Sequence, residues 1–212
     1  MRKMVLGLVF SFCGFTATAD PVTIAALGDS LTQGYGLQQQ DGFVPRLEAW
    51  LTAQGADVAL INAGVSGDTT AGGAARVNWT LTPDVDAMIV ALGGNDLLRG
   101  IAPDVARANL DSILRTAQAA DVKVLIVGMS APGNFGPEYK SAFDAIYPDL
   151  AAEYGALFSE NFLSGILDAD GRANLDLMQG DGIHPNADGV MRIVDVLGPD
   201  VLALINQVRT DQ

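Results

Sequence analysis

The chain has 212 residues, 49% hydrophobic and 17% charged, with a formal net charge of −13 and a pI near 4.2. That length and apolar share suit one globular domain with a sizeable core and exclude wholesale disorder. The acidity excludes nucleic acid and anionic lipid as partners, since both require clustered Lys and Arg. One Cys and one His rule out an internal disulfide framework and starve any Cys/His zinc site of ligands.

Arg2 and Lys3 precede a mostly apolar run from Met4 to Phe15, followed by the small-x-small pattern Ala17-Thr18-Ala19. This is the design of a secretory signal peptide, cleaved between Ala19 and Asp20. Twelve helical residues cover about 18 Å, short of the roughly 30 Å hydrocarbon core, so a membrane anchor is disfavoured. Phe12 precedes Cys13 where a lipoprotein signal wants a small residue. Residues 20–212 are then expected to form one domain, periplasmic or secreted. Cleavage removes two cations and the Cys and takes the net charge from −13 to −15. No other run is long enough to span a bilayer.

The mature chain alternates short β-rich runs with longer amphipathic stretches. Val22 to Leu27 reads as a buried strand ending at Gly28. Phe43, Leu47, Trp50 and Leu51 fall on one helical face, closed by Gly55. Val58 to Ile61 and Ala87 to Leu92 read as the second and third strands. Pro103 and Asp104 open a helix. Val122 to Val127 is the fourth strand and Ala156 to Phe158 the fifth. Tyr139 to Tyr154 is helical, with a bend or break expected at Pro148. Pro185 to about Val208 is a closing helix, with a possible kink site at Pro199. The pattern predicts an α/β fold: a flavodoxin-like, three-layer α/β/α sandwich with a central five-stranded parallel sheet. Ligands in such folds bind beyond the carboxyl ends of the strands.

The loops at those ends carry the chemistry. Gly28-Asp29-Ser30-Leu31 places a serine at a helix start, which suits a nucleophile with a developing oxyanion beside it. Asp29 or Ser30 would equally serve as a plain N-cap. The run does not match the G-x-G-x-x-G dinucleotide pattern. In Asn62 to Thr69, Gly67 can present its backbone N–H without a side chain in the way. Asp68 or Thr69 would cap the next helix, and a tight turn needs the same residues. In Gly93-Gly94-Asn95-Asp96, Asn95 can offer a side-chain donor, or the run is simply a turn.

His184, the single His, lies three residues after Asp181 and just before Pro185. That spacing can bring Asp181 against one ring nitrogen and leave the other for Ser30. A metal site built from Asp181, His184 and Asp188 is the alternative. Taken together, the four segments supply a nucleophile, a base, its orienting acid and oxyanion donors, the parts of an acyl-transfer site.

With these blocks in hand, the sequence resembles the SGNH hydrolase superfamily, the GDSL esterases, and within it the bacterial thioesterase I, lysophospholipase and arylesterase group. The resemblance rests on Gly28 to Leu31, Asn62 to Thr69, Gly93 to Asp96 and Asp181 to Pro185. Leu92 to Gly100 and Phe143 to Pro148 extend it toward that group. It implies Ser30 as nucleophile and Asp181 and His184 as the rest of a catalytic triad. It implies an oxyanion hole made by the Ser30 and Gly67 N–H groups and the Asn95 amide. It implies no metal and no cofactor, and a small-molecule ester or lysophospholipid substrate.

Apolar residues beside these loops, Leu97, Leu98, Ile101, Phe135 and Ile183, are candidates for substrate contact. A strongly acidic protein should repel polyanionic acyl-CoA within a Debye length of about 8–10 Å, which favours neutral aryl or alkyl esters, or zwitterionic lysophospholipids. Two rivals stand: a carbohydrate esterase of the same superfamily, and a non-enzymatic secreted binding module.

Overall fold

The computed structural model describes residues 20–211; the signal segment read from the sequence lies outside the described residues. Five strands form one parallel sheet: β1 (Val22–Gly28), β2 (Val58–Gly64), β3 (Ala87–Ala91), β4 (Lys123–Val127) and β5 (Leu157–Ser159). Their order is β2-β1-β3-β4-β5, the flavodoxin-like order expected. β3 is buried along its whole length because helices cover both faces of the sheet, which is why it reads as an unbroken apolar run.

Among the described residues, eight α-helices flank the sheet: α1 (Ser30–Gln33), α2 (Phe43–Ala53), α3 (Thr70–Thr80), α4 (Gly94–Leu98), α5 (Pro103–Ala119), α6 (Pro137–Asp144), α7 (Ile146–Tyr154) and α8 (Ala187–Asp211). α2 packs on α8 at one face, and α3, α6 and α7 pack on α5 at the other. The helices are amphipathic: α2 buries Phe43, Val44, Leu47 and Leu51, and α5 buries Ala106, Leu110, Ile113, Leu114 and Ala117. Each large side chain fully buried here contributes about 1.5–3 kcal/mol.

Several boundaries differ from the sequence reading. β2 continues three residues past Ile61, through Asn62 to Gly64. Asn62 and Gly64 are poor strand formers, but pairing with Ala26 and Gly28 of β1 holds them in register. β1 and β5 also end one residue later than read, and β3 one residue earlier. The helix break falls at Ala145, not at Pro148. Pro148 sits in the first turn of α7, where backbone N–H groups have no intrahelical partner, so its missing N–H costs nothing. α8 starts at Ala187, after Asn186 accepts the Gly189 N–H at 3.0 Å. It runs continuously through Pro199.

One register fact positions the site. Gly28 is the partner of Gly64 on one side and of Ala91 on the other. The three motif loops therefore leave the sheet at one level. The β1–β3 junction is also where the strand order reverses, the crevice at which such folds bind ligands.

Candidate active site

Ser30 is the first residue of α1, immediately beyond β1. The helix starts there because Asp29 caps it, its Oδ1 accepting the Leu31 N–H at 3.0 Å. Asp29 is thus the N-cap, and Ser30 keeps its hydroxyl for another partner. Ser30 Oγ lies 2.8 Å from His184 Nε2. His184 Nδ1 lies 2.6 Å from Asp181 Oδ2. A carboxylate only accepts, so Nδ1 carries the proton and the Nε2 lone pair faces the serine hydroxyl. The structure thus brings Ser30 to the Asp181–His184 pair although Ser30 and His184 are 154 positions apart along the chain.

The Asp181–His184 loop is held from within. Asp181 Oδ1 accepts the N–H groups of Ile183 and His184 at 2.9 and 3.0 Å. Together with the imidazole, these bonds hold the Asp181 carboxyl far below the usual carboxylate range. Gln179 donates to the Tyr35 and Pro185 carbonyls at 2.8 and 3.0 Å, tying this loop to the segment after Ser30. The Tyr35 ring lies against the imidazole, with centroids 4.7 Å apart. Neither Gln179 nor Tyr35 was singled out from the sequence; an aromatic five residues after the serine was the available signal for Tyr35.

The other two loops are cross-braced. Arg76 pairs with Asp68 at 2.6 Å and donates to the carbonyls of Ala63 and Gly28 at 2.7 and 2.8 Å. It clips the ends of β2 and β1 to the intervening loop. Thr69, not Asp68, caps α3, accepting the Gly72 N–H. Asp96, fully buried, accepts from the Thr70 N–H at 2.8 Å and from its hydroxyl at 2.6 Å. That pair locks the Asn95 loop to the start of α3. Gly67 has φ +82, in the left-handed region where a side chain would be strained. Gly93 has φ +122 and lies under Tyr147; a Cβ there would collide with the tyrosine hydroxyl, which donates to the Leu92 carbonyl at 3.0 Å.

Asn95 Nδ2 donates to Asp29 Oδ2 at 3.1 Å. Burial pushes the Asp29 carboxyl up from its ordinary value, against the two hydrogen bonds that pull it down. Asp29 was read only as a cap; its link to Asn95 joins loops that no local pattern relates.

Among the apolar candidates, Leu97 is part of the core at 9% exposure. One turn of helix explains it: Leu97 faces inward on α4 and Leu98 outward, at 66% exposure. Phe135 and Ile183 are exposed and Ile101 is half-buried. Phe135 stacks near Tyr139 at 4.8 Å, and Tyr139 donates to the Ile101 carbonyl at 2.7 Å. Ile101 and Phe135 are therefore joined through Tyr139, just beyond the end of α4 at Leu98. The metal alternative is not assembled: Asp181 bonds to His184, while Asp188 lines a groove with Arg46 and Trp50. Among the described residues, no three His, Cys, Asp or Glu side chains are grouped to hold a metal ion. No helix among them is long and apolar enough to cross a membrane.

Residues 26–192 match the model of the GDSL-like lipase/acylhydrolase family. The chain is 36% identical over 206 residues to the esterase TesA of Pseudomonas aeruginosa, covering 97% of this chain and all of that one. It is 34% identical over 192 residues to thioesterase 1/protease 1/lysophospholipase L1 of Escherichia coli, covering 90% and 87%. The crystal structure of AlinE4, described as an SGNH-hydrolase family esterase, superposes with a TM-score of 0.72 at 42% identity, covering 88% of this chain and 98% of that one. The chain is a hydrolase and belongs to the GDSL-like lipase/acylhydrolase family, the SGNH hydrolases.

Proposed function

We propose that the chain is a serine esterase for aryl and alkyl carboxylic esters, acting also on lysophospholipids and acyl thioesters. The observation that carries this is the Ser30–His184–Asp181 relay, at 2.8 and 2.6 Å. Ser30 Oγ attacks the ester carbonyl while His184 Nε2 takes the hydroxyl proton. Asp181 fixes the tautomer and stabilises the imidazolium. The tetrahedral oxyanion is received by the Ser30 and Gly67 N–H groups and the Asn95 amide, each such donor lowering the barrier by about 3–4 kcal/mol. His184 returns its proton to the departing alcohol or thiol, leaving an acyl-Ser30 ester. Water, deprotonated by His184, then adds to that ester, and collapse frees the acid and restores the hydroxyl.

The acyl chain lies along Leu98, Ile101 and Phe135, with Ile183 beside the histidine. The acidic surface ranks neutral and zwitterionic esters above acyl-CoA. Residues 1–19 direct the protein across the inner membrane, and residues 20–212 act in the periplasm or outside the cell as a single domain.

A second reading, a carbohydrate esterase, draws on an open cleft of about 890 Å³ beside α1 and α2, lined by Gln33, Gln38, Gln39, Glu48 and Asn62 together with the apolar Leu37, Val44, Pro45 and Leu60. The four amides among them suit hydroxyl groups. An acyl-chain series on nitrophenyl esters and matching thioesters decides between them. Turnover that persists or rises beyond acetyl supports the lipid-type esterase. A sharp fall beyond acetyl, with turnover of acetylated sugars, supports the alternative. Failure of a fluorophosphonate to label Ser30 would remove both and leave a binding module.

A further inference from the structure

We propose that Arg99 is a positioning residue for the oxyanion hole, a strap joining the Asn95 helix to the Gly67 turn. The proposal deepens the esterase reading and rests on it. Arg99 follows α4 directly, its N–H bonded to the Asn95 carbonyl at 3.2 Å. Its Nη2 donates to the Gly67 carbonyl at 2.7 Å.

The turn that Arg99 reaches is fixed at its base and exposed at its tip. Val65 N–H donates to Gly28 O at 3.0 Å, and Asp68 N–H closes the turn on Val65 O at 3.0 Å. Asp68 is further held by Arg76 at 2.6 Å. Between these anchors stands Gly67, with no side chain and φ +82. Glycine is the residue freest to rotate there. The Arg99 bond is the contact that fixes its carbonyl, and fixing the carbonyl restrains the rotation that would swing its N–H away. Because Arg99 is rooted one helical turn from Asn95, the same side chain sets the spacing between two of the three donors. Oxyanion stabilisation depends on donors being aimed before reaction, so a small tilt costs rate.

The surroundings of Arg99 point the same way. Among the described cations, Arg46, Arg76, Arg107, Arg115, Lys140 and Arg172 each pair with a carboxylate, whereas Arg209 bonds to the Asp57 carbonyl at 3.2 Å. The Arg99 side chain is exposed and bonds to a backbone carbonyl instead. Among the described residues neither an ion pair nor burial accounts for it.

The test compares Arg99→Met, Arg99→Lys and wild type on a neutral nitrophenyl butyrate, with thermal melting and the rate of phosphonate capture of Ser30. Arg99→Met is expected to lower kcat about 10–100-fold, with KM within about twofold and Tm nearly unchanged. Phosphonate capture, which forms the same oxyanion, should slow in parallel. Arg99→Lys, or free guanidinium ion added to Arg99→Met, should restore most of kcat. Wild-type kcat in Arg99→Met overturns the strap. So does a defect confined to KM for esters carrying a carboxylate, which would make Arg99 a substrate-anion contact. Ser30→Ala is run beside them: activity there overturns the triad itself, whereas an inactive Ser30→Ala with a fully active Arg99→Met overturns the strap alone.

Discussion

The Asp29 carboxylate accepts the Asn95 side-chain amide at 3.1 Å across 66 residues of sequence. Its other oxygen caps the helix that begins at Ser30. One buried side chain thus orients both the helix that begins at Ser30 and the Asn95 amide, the nucleophile and an oxyanion donor of the proposed mechanism. An ionised carboxylate has no proton to give, so the Asn95 group facing it must be NH₂.

Asp29→Asn breaks that logic while preserving shape. The new amide oxygen can still cap Leu31, but its NH₂ then meets the Asn95 NH₂. kcat should fall about 10–100-fold with KM little changed. Burial holds the Asp29 carboxyl above its unfolded value. Its stabilisation is therefore present below the unfolded pKa and lost as pH rises through the folded one. The Tm of Asp29→Asn relative to wild type should accordingly improve as pH rises above the ordinary carboxylate range. Unchanged kcat would show that Asn95 does not depend on Asp29.

Activity should decline on acidification along a limb set by one proton. Only neutral imidazole can take the serine proton. Asp181, held far below the ordinary carboxylate range by its bonds to His184 and Ile183, stays ionised across that limb. The stabilisation it gives is present above its unfolded pKa and lost only as pH falls through the depressed one, in strong acid. A pH–rate profile from about pH 4 to about pH 9 tests this; a flat profile, or an acid limb of slope two, contradicts it. Asp181→Asn should lower kcat by about 10³–10⁴, since it releases the wrong tautomer.

Tyr147 supports the third loop from below. Its buried hydroxyl donates to Leu92 O, two residues before Gly94. Tyr147→Phe leaves that buried carbonyl unpaired and should cost about 1–3 kcal/mol in urea unfolding. Gly93→Ala should be worse, because a Cβ would strike the same hydroxyl at a positive φ. A tolerated Gly93→Ala would mean the loop has another resting place.

Phe135→Ala and Leu98→Ser should raise KM progressively with acyl length and leave acetyl esters nearly untouched. Each buried methylene contributes about 0.8 kcal/mol, so the penalty should grow severalfold from butyrate to octanoate. A length-independent effect would move the acyl chain elsewhere. Acyl-CoA should lag behind a neutral ester of equal chain and gain on it as salt is added.

Much of this was legible because it is local or periodic. Val22 to Leu27 and Ala87 to Ala91 are buried on both faces and read as apolar runs. Ser30, Gly67 and Asn95 lie in loops that follow strands, which parallel topology gathers at one edge, and the Asp181–His184 pair lies at the entry to the last helix. The break at Ala145 was misplaced at Pro148 because the cost of a proline depends on its position within a helix, which periodicity does not give. Leu97 and Leu98 could not be told apart, since α4 is too short to display a period. The braces were invisible for another reason. Asp29 to Asn95, Arg76 to Gly28 and Arg99 to Gly67 join loops through single side chains, and such pairings leave no pattern along the chain.

The central claim is that Ser30 attacks and His184 deprotonates it. The direct measurement is the steady-state hydrolysis of a neutral nitrophenyl ester by purified Ser30→Ala and His184→Ala, each checked for wild-type melting. Both should lose about 10³-fold or more in kcat, and the double variant should be no worse than either single, because the two residues act as a unit. A folded Ser30→Ala that keeps near-wild-type turnover would contradict the account.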